Sequence, residues 1–193
     1  MTAEIKNVIV LGVRILCFVS MVIATRSTLV NHPLCTQAGG NLGLPLIKEL
    51  QAQSFTVSAL IRPSSTATFD ASIRVHKVAY DDLPALTSAF RGQDAVVSTL
   101  GTFAIPAQRT AIDAAIAAGV QRFVPSEYGG DTSLSGTEEF APFAVEKGAI
   151  LEYLKQQIAE KQSGLTWTAI YTGIFIAWVK PPPDSFLYKG TKN

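Results

Sequence analysis

Two pieces of sequence decide the fold: Lys6–Gly12, KNVIVLG, and Ala38–Gly43, AGGNLG. A β-branched apolar run closed by glycine reads as a buried parallel strand. A dinucleotide-binding fold needs a glycine-rich turn directly after such a strand, leading into a helix. Here 25 residues, 13–37, separate the two pieces. With that segment removed the chain reads VIVLG-AGGNLGLPLIKEL. Gly12, Gly40 and Gly43 then stand in a G-x-x-G-x-x-G turn ahead of a helix with Leu42, Leu46, Ile47 and Leu50 at helical spacing. Glycines at that turn let backbone approach a pyrophosphate, and the helix start offers free N–H groups to it. Gly12, Gly40, Asn41, Leu42 and Gly43 are therefore the expected phosphate loop, interrupted by an insert. An ordinary glycine-containing loop is the plainer reading of the same residues.

Downstream, strands and helices alternate. Strands are expected at 55–61, 73–78, 94–100, 120–124 and 165–171, and helices at 42–53, 82–90, 105–118 and 142–161. That alternation specifies βαβ units and a parallel sheet. The expected fold is α/β, a Rossmann-type doubly wound parallel sheet with helices on both faces. It forms one domain over 1–178, interrupted at 13–37. Residues 179–193, with three consecutive prolines and no periodicity, read as an unpacked tail.

A chain of 193 residues suffices for one domain with a sizeable core. A net charge of +1 without a basic run argues against a nucleic-acid partner. Both cysteines, Cys17 and Cys35, lie within 13–37, which argues against a disulfide framework or a zinc site and fits a reducing cytoplasm. The apolar run Val8–Ala24 carries Arg14, which is costly in mid-bilayer, so an insert in a soluble protein is favoured over a membrane anchor.

In such a fold, ligands bind outside the carboxyl edge of the sheet. Arg62, nineteen residues after Gly43, ends the second strand where arginine suits the 2′-phosphate of NADP and an acid would suit NAD. Alone, it is equally an exposed loop arginine. Thr99 and Gly101 end the fourth strand, where small residues let a cofactor lie close or make a plain turn. Ser126, Glu127, Tyr128 and Gly129 form a polar loop where substrate arrives. Tyr128 and Lys147 are too far apart for a Tyr-x-x-x-Lys pair. Lys147 falls on the same helical stripe as Ile150, Leu151, Leu154 and Ile158. A lysine forced toward an apolar cleft has a lowered pKa, useful for proton transfer, and the alternative is a stem that snorkels to water. His32 and His76 have no ligand partners at useful spacing.

The reassembled GAGGNLG loop, LIRPSS, VVSTLG and AQRTAIDAAIAAGVQRFVPSEYG, with the helix carrying Lys147, resemble the NmrA-like, isoflavone reductase-like family of atypical short-chain dehydrogenases. The resemblance covers 3–12 and 38 to about 178. It implies that Lys147 is catalytic, that Arg62 selects NADP(H), and that the PSEYG loop and the end of the fourth strand line the nicotinamide and substrate side. It also implies NADPH-dependent reduction of a small aromatic or phenolic substrate. Some relatives bind the dinucleotide without turnover and act as redox-responsive regulators, so that alternative stays open.

The chain departs from the family twice, at the 13–37 insert and after YTGIFIAW, where relatives continue into a substrate-binding region. Val13 is encoded by GTN and Gln37 by CAG or CAA, so the insert can begin with GT and end with AG, and its length keeps frame. Val179-Lys180 can likewise read GTAAAG. Both departures are consistent with retained introns, and either could leave the chain inactive.

Overall fold

The computed structural model describes residues 8–9, 33–36, 38–132 and 143–173. Gly12, most of the 8–24 apolar run and the tail after 178 lie outside the described residues. In chain order the elements are β1 (Val8–Ile9), β2 (Pro33–Thr36), α1 (Gly43–Ala52), β3 (Ser58–Ile61), β4 (Arg74–Lys77), α2 (Leu83–Phe90), β5 (Ala95–Ser98), a 3-10 turn (Thr102–Ala107), α3 (Gln108–Ala118), β6 (Arg122–Val124), α4 (Phe143–Glu160), β7 (Thr166–Trp167) and β8 (Ile170–Tyr171). Six strands form one parallel sheet in the order β4-β3-β2-β5-β6-β7.

The strand that feeds the glycine turn is not the expected one. The central slot, between β3 and β5, is filled by Pro33–Thr36, from the end of the segment read as an insert. Val8–Ile9 instead pairs with Ile170–Tyr171 in a separate two-stranded sheet. The physical reason is connectivity. Thr36 is one residue from Ala38, whereas Ile9 is separated from it by the whole of 10–37. PLCT is also apolar enough for the slot: Leu34 and Cys35 are fully buried and Thr36 nearly so. Proline is tolerated at the first position of a strand, which is where Pro33 stands. By sequence position, Gln37 then occupies the place expected for Gly12.

Alternation along the strands builds two cores. Leu34, Leu60, Val96 and Phe123 face α2, α3 and α4, packing with Leu86, Phe90, Ile112, Ile150 and Leu154. Cys35, Ala59, Ile61, Val97 and Val124 face α1, through Leu46, Ile47 and Leu50. Helices thus cover both faces, as the periodicity predicts.

Local chemistry sets the element ends. Asp82 caps α2, accepting from the Ala85 N–H at 2.9 Å. Gly119, at φ 76°, ends α3 in the left-handed conformation that glycine favours. The expected single helix 105–118 divides into the 3-10 turn and α3. The expected strand 165–171 also divides: Thr166–Trp167 joins β6, and the chain then leaves the sheet at Thr168, whose hydroxyl accepts from the buried Arg122 guanidinium at 3.0 Å.

Helix α4 is clamped to α3 by side chains of opposite character. Arg109 lies 5.1 Å from the Tyr153 ring and 3.4 Å from Glu146. The Tyr153 hydroxyl donates to Asp113 at 2.8 Å, and Lys161 pairs with the same carboxylate at 3.0 Å. Burial, followed by the Asp113 bond, pushes the Tyr153 phenol up to about 12. The clamp matters because α4 carries Lys147 at its first turns. Among the described residues, no helix is long and apolar enough to cross a membrane.

Candidate functional site

A parallel sheet places the ends of β2, β3, β5 and β6 on one carboxyl edge, and each of these ends carries residues singled out from the sequence. The switch point lies between β2 and β5, adjacent strands whose connections leave toward opposite faces.

The phosphate-loop side is built by α1. The helix starts at Gly43 with no side-chain cap at Leu42 and no acidic residue in its first turn. The Gly43 N–H and the positive end of the helix dipole are thus available to an anion, while Pro45 has no N–H to offer. Leu44 N–H bonds the Gly40 carbonyl at 3.2 Å, which folds the turn, and Asn41 is exposed beside it. Leu42 is half-buried and Gly43 buried.

The loop after β3 begins at Arg62, exposed and without a side-chain partner among the described residues. It closes on itself through Ser65, whose N–H donates to the Arg62 carbonyl at 3.0 Å and whose hydroxyl accepts from Ala67 N–H at 3.3 Å. This loop returns against the glycine turn, where a Cβ built on Gly39 would lie 2.5 Å from the Ala67 Cβ. Gly39 is therefore required by the neighbouring loop. Gly39→Ala is expected to destabilise by about 1–3 kcal/mol in urea unfolding. Ala67→Gly in the same chain should recover most of that loss.

The end of β5 is turned inward. Thr99 donates its hydroxyl to the Thr36 carbonyl at 2.6 Å and lies 3.7 Å from the Cys35 sulfur. Burial pushes the Cys35 thiol up to about 12, against the Thr99 contact, so it stays protonated. Gly101 remains exposed at the edge.

The PSEYG loop is likewise turned inward at two of its side chains. The Ser126 hydroxyl donates to the Leu100 carbonyl at 2.7 Å, and its N–H donates to the buried Gln108 side chain at 2.8 Å. Tyr128 packs against the α1-side core with its hydroxyl buried and without a partner among the described residues. Burial, and then the neighbouring Cys35, hold this phenol far above its usual range. Tyr128 is therefore a packing residue with no proton to give. Gly129 is held to the end of β8 by the Thr172 and Gly173 N–H groups, at 3.0 and 2.9 Å from its carbonyl.

Lys147 and Glu127 meet at this edge. The Lys147 ammonium donates to the Glu127 main-chain carbonyl at 2.6 Å, so the lysine does not simply snorkel to water. Desolvation lowers its pKa, partly opposed by the Glu127 charge. The Glu127 side chain is fully buried. Burial raises its pKa against the Thr132 bond and the Lys147 charge, while Asp131 raises it further. A Gly129 Cβ would stand 3.2 Å from the Glu127 carbonyl oxygen, a tight contact, and 3.4 Å from the Lys147 ammonium.

Sequence reasoning missed Gln108, Thr132 and Tyr171. Thr132 donates to the Glu127 carboxyl at 2.8 Å, and Tyr171 lies beside them. Such contacts between loop and strand leave no periodic signal.

This edge, with an uncapped helix start at the switch point and a glycine turn beneath it, defines a dinucleotide-binding α/β protein. The chain belongs to the NAD(P)H-binding family, whose model matches residues 38–185, and within it is NmrA-like and isoflavone reductase-like. It is 44% identical over 143 residues to the oxidoreductase aprR of Aspergillus flavus, covering 72% of this chain and 47% of that protein. It is 30% identical over 162 residues to the isoflavone reductase homolog IRL of Zea mays, covering 78% and 51%. The chain thus spans about half the length of the curated relatives it matches. Its fold resembles AtPrR2 with NADP+ and (+)pinoresinol, at a TM-score of 0.65, 24% identity, and 77% and 51% coverage. It also resembles the leucoanthocyanidin reductase–NADPH complex from Vitis vinifera, at 0.63, 21%, and 79% and 55%.

Proposed function

We propose that this chain carries the cofactor-binding and proton-transfer side of an NADPH-dependent reductase acting on a small aromatic or phenolic substrate. The observation that carries the reading is Lys147. Its ammonium sits at the carboxyl edge, partly desolvated, fixed by the Glu127 carbonyl, with its pKa lowered. A partly desolvated ammonium releases its proton more readily than a solvated one, which suits a group that transfers protons.

The residues fit the cofactor. Gly40, Asn41 and the uncapped start of α1 would hold the pyrophosphate, and the exposed Arg62 guanidinium would meet a 2′-phosphate. When bound, NADPH supplies a hydride to substrate carbon. This chain's own residues bind and orient, and Lys147 holds or moves the proton at Nζ. The ligands named for the fold neighbours, NADP+ and NADPH, support the cofactor reading.

A second reading, a dinucleotide-binding redox regulator without turnover, is favoured by the inward turn of Ser126, Tyr128 and Thr99. Those side chains leave the edge equipped for cofactor and sparsely equipped for substrate. NADPH and NADH binding, followed by NADPH consumption with a panel of phenolic acceptors, separates the two. Binding without consumption across the panel would support the regulator. Arg62→Asp is expected to cut the preference for NADPH over NADH by about tenfold or more, the scale of one charged hydrogen bond. An unchanged preference would remove Arg62 from the site.

A further inference from the structure

The residues surrounding Lys147 form a chain that the proton-transfer reading leaves unused. Thr132 donates to one oxygen of the Glu127 carboxyl at 2.8 Å, and Tyr171, in β8, lies beside both residues. The other oxygen, Oε1, is buried without a partner among the described residues. The main chain of the same residue accepts the Lys147 ammonium at 2.6 Å.

We propose that Glu127 is the positioning residue of Lys147: its carbonyl orients the ammonium, and its buried carboxyl, held by Thr132, supplies the charge against which Lys147 releases and regains a proton. This rests on the reading of Lys147 as the proton-transfer group.

The placement follows from three separate contacts. The Gly129 carbonyl pins the loop to the end of β8, so the Glu127 backbone is held by a strand and does not drift with the loop. Glycine at 129 keeps a Cβ from standing 3.2 Å from the Glu127 carbonyl oxygen that accepts the Lys147 bond. Thr132 spends its donor on Glu127, so one carboxyl oxygen is held and the other is left free to respond to the charge on Lys147. A fully buried carboxyl with an unsatisfied oxygen is costly, and such a cost persists where a group has work to do.

Among the described residues, the charged and titratable groups around Lys147 are these. Glu127 comes from the loop after β6, with Asp131 acting on it from the same loop, and Tyr171 comes from β8. On α4 itself, the adjacent Glu146 is engaged by Arg109. Glu127 is the group whose charge acts directly on Lys147. Burial drives both partners toward neutrality, and each one's charge opposes that drive in the other. The charge on Glu127 therefore favours the protonated form of Lys147, and its loss favours the neutral amine.

The test reads Lys147 directly, without turnover. The chain is labelled with ¹³Cε-lysine, the Lys147 signal is assigned by its loss in Lys147→Arg, and the signal is followed with pH. Glu127→Gln keeps shape and removes the charge that favours the ammonium. It should move the Lys147 midpoint downward by about half a pH unit or more, the low end for a neighbouring charge. Thr132→Val leaves Glu127 harder to ionise and should move it the same way by less. An unmoved or raised midpoint in folded Glu127→Gln overturns the proposal. If that variant does not fold, Thr132→Val alone decides by the same sign. Because no acceptor is consumed, a shifted midpoint in a chain that never oxidises NADPH would overturn the reductase reading and leave this one standing.

Discussion

Lys147→Met is expected to lower NADPH-dependent turnover by about 10²–10⁴-fold, the usual contribution of one positioned acid–base group. Methionine keeps the apolar stem against α4's buried stripe and removes the ammonium. The fold should lose only one charged bond, to the Glu127 carbonyl, worth about 1.5–3 kcal/mol. NADPH binding should persist, because the phosphate contacts are proposed for Gly40, Asn41 and α1, on another strand's turn. The pH profile adds a second readout. Desolvation lowers the Lys147 pKa, so the limb that it sets lies below the ordinary lysine range and should vanish in the variant. Titrated NADPH affinity, thermal unfolding and a rate profile against pH, taken together, check all three. Undiminished turnover in Lys147→Met would remove the lysine from the chemistry.

Deleting residues 13–37 is expected to tighten NADPH binding by about tenfold or more, on the scale of a pyrophosphate regaining one or two charge-assisted contacts. The deletion joins Gly12 to Ala38 and puts glycine where Gln37 now stands. It also removes Pro33–Thr36, the strand at the centre of the sheet. The variant can fold only if the VIVL run moves from its pairing with Ile170–Tyr171 into the slot between β3 and β5. Leu34 and Cys35 are fully buried there, so an empty slot would not be tolerated. Circular dichroism and equilibrium NADPH titration of both chains decide the matter. A folded deletion chain with equal affinity would defeat the interrupted-loop account. An unfolded one would show that PLCT has no substitute.

Most of the sheet was legible because burial on both faces forces unbroken apolar runs. SALI, AVVS and RFV are strands for that reason, and each was placed within a few residues. The helices carrying Leu46, Ile112 and Ile150 were legible through their 3.6-residue stripes. The first strand was not, because two runs, VIVL and PLCT, compete for one slot and periodicity ranks VIVL higher. Connectivity to the glycine turn outweighs that ranking: one residue joins Thr36 to Ala38.

The candidate site divides along the same line. The positions of Gly40, Asn41, Leu42, Gly43, Arg62 and Gly101 on the carboxyl edge follow from strand order, and strand order follows from pattern. Where Ser126, Glu127, Tyr128 and Thr99 direct their side chains does not. Ser126 and Thr99 spend their hydroxyls on the main chain of neighbouring strands, and Tyr128 sinks into the core beside Cys35. Loop side chains turn toward whichever acceptor or cavity the neighbouring strand brings near, and that neighbour is distant in sequence.

By itself the sequence determined an α/β dinucleotide-binding fold, its NmrA-like kinship and the strand ends that form the site, because hydrophobic period and glycine spacing are local properties. Only the tertiary structure decided which segment takes the central strand, and that Lys147 rests on Glu127 with Thr132 and Tyr171 behind it. Those are choices among long-range partners, and their energies come from burial and hydrogen bonds that do not exist until the chain has closed.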